Sequence, residues 1–140
     1  MINKIGKGFS FPFRFSAGRI KQTFVSTDGS QTDEEDKKVV KDAISMIINT
    51  PKGARFMTPE FGSLVNMLPF EVADDFFGNV AASVATDDIS EQETRADIVR
   101  ASSLLQPPYV FVTLDFRLRQ NGQVDSLVFP YYTVPNEVAP

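Results

Sequence analysis

Apolar and polar residues alternate across residues 109–119. Val110, Val112, Leu114, Phe116 and Leu118 fall on one side, and Thr113, Asp115, Arg117 and Arg119 on the other. A period of two over this length predicts a strand with one face buried. Asn121-Gly122 follows directly. Both residues tolerate the positive φ of a tight type I′ turn, so the chain is expected to fold back on itself there. Residues 123–134 supply the returning strand, with Leu127, Phe129 and Tyr131 on the side opposite Val128 and Tyr132. Residues 98–105 read as a third strand that ends at Pro107-Pro108. An antiparallel meander with one apolar face needs something to cover that face.

The middle of the chain supplies the cover. Thr32 and Glu35 have the spacing of a capping box, and Val40, Ala43, Ile44, Ile47 and Ile48 make a helical stripe that Asn49-Thr50-Pro51-Lys52-Gly53 stops. The acids of its first turn suit the positive end of the helix dipole. Residues 54–70 mix aromatics with turn formers, predicting a tight turn at Phe61-Gly62 and one helical turn around residues 64–68. A second helix is expected over residues 72–86, burying Ala73, Phe76, Phe77, Val80, Ala81 and Val84, with Gly78 weakening it. Asp87 or Asp88 can cap a further helix running to about Arg95.

At the N-terminus Phe9, Phe11, Phe13 and Phe15 alternate with Ser10, Pro12 and Arg14, a second strand signal. Pro12 places that strand at a sheet edge, because proline cannot donate to a ladder. A turn at Ser16-Ala17-Gly18-Arg19 and a weaker return strand make it a hairpin. Lys7-Gly8-Phe9-Ser10-Phe11 resembles the start of an RNA-binding signature, but Pro12 and Arg14 break the pattern. Packing onto the domain or onto a partner is the better use of these rings. Four buried Phe side chains are worth on the order of 6–12 kcal/mol before ordering costs. The whole reads as one α+β domain over residues 1–140: an N-terminal β-hairpin, two to three helices and a C-terminal antiparallel β-meander. Residues 1–8 form a basic arm and residues 135–140 an extended tail.

Composition narrows the chemistry. The chain has no Cys and no His, which excludes thiol nucleophiles, His-based triads and Cys/His metal sites. A net charge of −4 argues against gripping nucleic acid. No glycine pattern forms a phosphate-binding loop, so no cofactor is expected, and the acidic run at residues 33–36 lacks the spaced ligands of a calcium loop. No signal peptide or apolar stretch of about 20 residues points to a membrane. Glu60, Glu71 and Glu93 are the carboxylates that could be nominated for glycoside hydrolysis, and their spacing picks out no pair. The chain reads as a non-enzymatic protein that works through its surfaces.

Three blocks carry a family resemblance: Gly6-Lys7-Gly8-Phe9-Ser10-Phe11-Pro12-Phe13, the long run over residues 47–63 that contains Asn49-Thr50-Pro51-Lys52-Gly53 and Pro59-Glu60-Phe61-Gly62-Ser63, and Glu93-Thr94-Arg95 before the last sheet. In this order they resemble the gene-25-like baseplate wedge proteins of contractile phage tails, which have counterparts in type VI secretion and other contractile injection systems. The family hallmark is Glu-Pro-Arg; Glu93 and Arg95 match it, and Thr94 stands where the family has Pro. The resemblance implies a virion tail baseplate protein assembled in the host bacterial cytoplasm. Its partners would be the wedge core-bundle subunits, held through Glu93 and Arg95, the tail sheath protein, and neighbouring inner-baseplate or tube proteins. The sheath would add strands to exposed edges, with Phe9, Phe11, Phe13 and Phe15 as a further partner-binding row. The alternative is a tail-associated peptidoglycan hydrolase, since the family has at times carried a lysozyme-like label.

Overall fold

The computed structural model describes residues 8–9, 15–16, 19–20, 22–23, 33–68 and 75–132. Four two-residue strands come first: β1 (Gly8–Phe9), β2 (Phe15–Ser16), β3 (Arg19–Ile20) and β4 (Gln22–Thr23). β1 lies antiparallel to β4, and β2 to β3. Phe11, Pro12 and Phe13 lie outside the described residues, as do the side chains of Phe9 and Phe15, residues 1–7 of the arm and the tail. The expected N-terminal hairpin therefore falls largely outside them.

The body is α+β. Helix α1 (Asp33–Asn49) leads through a 3-10 turn (Leu64–Met67) to helix α2 (Asp75–Gln92), and then to strands β5 (Ala96–Gln106), β6 (Tyr109–Leu118) and β7 (Val124–Tyr132). These three strands form an antiparallel sheet in the order β5-β6-β7. The alternation of β6 is realised in full: Val110, Val112, Leu114, Phe116 and Leu118 are completely buried beneath the helices. At roughly 1.5–3 kcal/mol per buried side chain, this one strand anchors the core. Val40, Ile44, Ile47 and Ile48 of α1 belong to the same core, as expected from their spacing.

Three expectations need correction. The first concerns α2, which runs unbroken to Gln92, so Asp87 and Asp88 lie inside it and cap no separate helix. The second concerns its buried face: Phe77 and Ala81 are buried as expected and are joined by Gly78, Ala82, Ala85 and Ile89, whereas Phe76 is 75% exposed, Val80 and Val84 are half-buried, and Ala73 lies outside the described residues. Gly78 explains the close approach, because a Cβ there would sit 2.5 Å from Ser103 Oγ on β5. The third concerns the β6–β7 turn, which is wider than a two-residue type I′ turn. Leu118 N–H donates to Gln123 O, Gly122 N–H donates to Leu118 O, and Gly122 takes φ +71°. A loop of this length closes with glycine in the left-handed region.

Tyr131 of β7 turns inward, and its hydroxyl is buried without a hydrogen-bond partner among the described residues. Burial pushes its pKa up. Removing an unsatisfied buried hydroxyl while keeping the ring is neutral to stabilising. Tyr131→Phe is expected to leave stability unchanged or raise it by up to about 1 kcal/mol in a urea titration.

Candidate functional site

The two outer strands of the sheet, β5 and β7, differ in what they offer. Leu118 N–H bonds to Gln123 O, and Arg119 N–H to Arg95 O. With the strand registers, these bonds fix which backbone groups point inward, because facing residues of an antiparallel pair alternate between bonded and unbonded. Along β7, Val124, Ser126, Val128, Pro130 and Tyr132 point their backbone groups outward. That margin is blunted: Ser126 N–H is taken by its neighbour Asp125 Oδ1 at 2.8 Å, and Pro130 has no N–H. Lys41 of α1 also reaches Asp125 at 3.6 Å. Along β5, a bulge lies between Ile98 and Arg100, and beyond it Ala101, Ser103 and Leu105 point outward. No hydrogen bond to their N–H groups comes from the described residues. Three donor–acceptor residues at every second position are the template for an added strand.

Glu93 and Arg95 sit where α2 hands over to β5. Glu93 N–H continues the helix by donating to Ile89 O at 2.7 Å. The Glu93 carboxylate is buried and accepts a fork from Arg95, with Nε at 2.7 Å and a terminal guanidinium nitrogen at 2.6 Å, and also the Arg95 backbone N–H at 3.1 Å. The hydrogen bonds to Glu93 raise the Arg95 pKa above its ordinary value. The structure thus joins the two charges within the chain. The Arg95 side chain keeps 31% of its surface exposed.

A second polar cluster was not apparent from spacing. Asp88, on the inner face of α2, accepts from Ser63 Oγ at 2.8 Å and from Leu64 N–H at 3.0 Å, and pairs with Lys52 Nζ at 2.6 Å. Burial pushes the Asp88 carboxyl up, but the hydrogen bonds from Lys52, Ser63 and Leu64 outweigh it and hold the pKa below the usual carboxylate range. Its hydrogen bond to Asp88 raises the Lys52 pKa. One turn on, Gln92 exchanges two bonds with the backbone of Gly62, accepting from its N–H at 2.8 Å and donating to its carbonyl at 2.7 Å. Gly62 has φ +118°, and a Cβ there would lie 2.2 Å from Thr50 O. Only glycine allows that approach. Ser63 N–H in turn donates to Thr50 O at 2.8 Å, and Asn66 Nδ2 donates to Ile48 O. The segment between α1 and the 3-10 turn is therefore fastened to α2 at Asp88 and Gln92. Its tip points away: Phe56 is 96% exposed and Met57 84%.

The carboxylates nominated for hydrolysis are not assembled. Glu60 lies on the exposed segment, Glu93 is held by Arg95, and Glu71 falls outside the described residues. The described residues contain no cluster of potential metal ligands and no helix long and apolar enough to cross a membrane.

No protein-family model and no curated protein sequence matches the chain. Solved structures do. A crystal structure of a candidate tail lysozyme from Geobacter sulfurreducens superposes with a TM-score of 0.65 at 20% identity, covering 75% of this chain and 95% of that one. A chain in the cryo-EM structure of the anti-feeding prophage baseplate superposes with a TM-score of 0.57 at 15% identity, covering 94% of this chain and 89% of that one. At these identities the likeness is one of fold.

Proposed function

We propose that this chain is a structural baseplate component of a contractile phage tail or related injection machine. In this reading it joins the wedge core bundle and starts the sheath by accepting a strand. The observation that carries it is the likeness to a chain in a baseplate, which runs over 94% of this chain and 89% of the other. A fold alone does not fix a function, but the open margin of β5 adds a surface suited to the role. An extended arm from a sheath subunit would bond to Ala101, Ser103 and Leu105 and enlarge the sheet beside α2. Glu93 and Arg95 would meet the core bundle through the exposed part of Arg95, and the phenylalanine row of Phe9, Phe11, Phe13 and Phe15 would serve as a further contact.

Amide exchange tests the strand addition residue by residue. In the free chain the amides of Ala101, Ser103 and Leu105 are expected to exchange fast, while those of Ser102 and Leu104, bonded to β6, exchange slowly. On mixing with a contractile-tail sheath subunit from the same source, the three fast amides should become protected. Protection at Val124 and Val128 instead would move the site to β7, and protection at neither margin would remove strand addition.

The second reading, a tail-associated peptidoglycan hydrolase, is favoured by the name of the Geobacter structure. Against it, Glu93 is held by Arg95 and Glu60 lies on an exposed segment, so these two nominated carboxylates form no pair that could flank a bond. Zymography on peptidoglycan is expected to show no clearing. Clearing that disappears in Glu60→Gln or Glu71→Gln would reverse this assignment.

A further inference from the structure

We propose that Phe56 and Met57 form a pre-organised anchor that inserts into an apolar pocket of a second baseplate protein, at a surface separate from β5 and from Glu93–Arg95. Phe56 at 96% and Met57 at 84% are the most exposed large apolar side chains among the described residues, and they are adjacent, which makes one contiguous apolar tip. The segment behind them is braced. Gly53 N–H donates to Pro59 O at 2.8 Å across its base, Ala54 N–H to Pro51 O and Phe61 N–H to Thr58 O at 3.1 Å each. The Arg55 guanidinium stacks 3.9 Å from the centre of the Phe61 ring. Asp88 and Gln92 hold the C-terminal side to α2. Such a frame stops the two side chains from folding back onto the domain, and it lowers the ordering cost of docking.

Size and charge identify the occupant. An aromatic side chain buries roughly 150–250 Å², so Phe56 with one thioether side chain beside it falls well short of the ~800 Å² per partner that a stable interface needs. The pair cannot hold any partner alone, and against a second copy of this chain the two net charges of −4 repel one another. It suits the hot spot of a larger contact with a protein that is also engaged elsewhere on the molecule. Arg55, exposed beside the tip and without an ion pair among the described residues, calls for a carboxylate at the rim of the pocket. The inference rests on the proposed function only for the assembly from which the partner comes.

The test uses the full chain co-expressed with wedge and inner-baseplate subunits from the same source, purified as a complex. Phe56→Ser with Met57→Ser is expected to leave the melting temperature and the strand addition at β5 unchanged, and to weaken binding to those subunits by about 30-fold or more. Peroxide footprinting reads the same surface without mutation: Met57 should oxidise readily in the free chain and several-fold more slowly in the complex, with Met67 as the internal comparison. A complex that forms while Met57 still oxidises at the free rate, or a double variant that binds within about threefold of wild type, overturns the anchor and leaves the baseplate reading standing. A wild-type chain that joins none of the subunits removes both. A free chain that is dimeric in light scattering and becomes monomeric in the double variant makes a second copy the occupant and overturns the assignment to another protein.

Discussion

Replacing Asp88 with alanine is expected to lower stability by about 3–4 kcal/mol, measured by urea unfolding. The carboxylate is buried and holds three groups at once: Ser63 Oγ, Leu64 N–H and the Lys52 ammonium. Deleting it leaves the fully buried Ser63 hydroxyl and a backbone N–H without their acceptor, and each such loss costs about 1–3 kcal/mol. Lys52 can turn into water, so its share is small. The effect has a pH signature. Because the folded pKa of Asp88 lies below its unfolded value, the stabilisation is complete above the ordinary carboxylate pKa of about 3.9. It is lost as pH falls through the lower folded value. Wild type should therefore lose melting temperature between about pH 4 and pH 2 more steeply than Asp88→Ala. Equal slopes would show that this carboxylate does not carry the clamp. The same variant should free the segment bearing Phe56 and Met57, so amide protection at Gly62 and Ser63 should fall before the global transition.

The parts of this fold that were readable from sequence follow simple periods. The five buried residues of β6 repeat every second position, and Val40, Ile44, Ile47 and Ile48 repeat at helical spacing. The clamp did not show because its members are far apart and individually ordinary. Asp88 reads as one of two candidate helix caps, Ser63 falls in a stretch of turn formers, and Gln92 carries no signal of its own; only the packing of α2 against the segment after α1 brings them together. Phe76 shows the same limit in reverse. It is as large and apolar as its buried neighbour Phe77, but α2 lies so close to β5 at Gly78 that alanines make up most of its inner face, and Phe76 is turned out. The outward-facing groups of β5 also needed the register, since a shift of one residue would exchange Ala101, Ser103 and Leu105 with their protected neighbours.

Charge reversal at Glu93 is expected to damage folding before it damages assembly. Glu93→Lys removes the acceptor of three Arg95 donors and sets a second cation beside the guanidinium in a buried position. Breaking a buried pair from one side costs about 3–5 kcal/mol. An assembly defect in that variant would say little about a partner. The neutral double variant Glu93→Gln with Arg95→Gln separates the two roles, since it leaves no unpaired charge and keeps side chains able to hydrogen-bond. A double-mutant cycle is expected to give a coupling of about 1.5–3 kcal/mol, and the double variant should be more stable than Glu93→Lys. If Arg95 also reaches the core bundle through its exposed third, the double variant should fold at assay temperature and still enter the baseplate complex at least about tenfold less well. Incorporation at the wild-type level by a folded double variant would confine the pair to bracing the passage from α2 to β5, and the attachment to the core bundle would then have to lie on another surface.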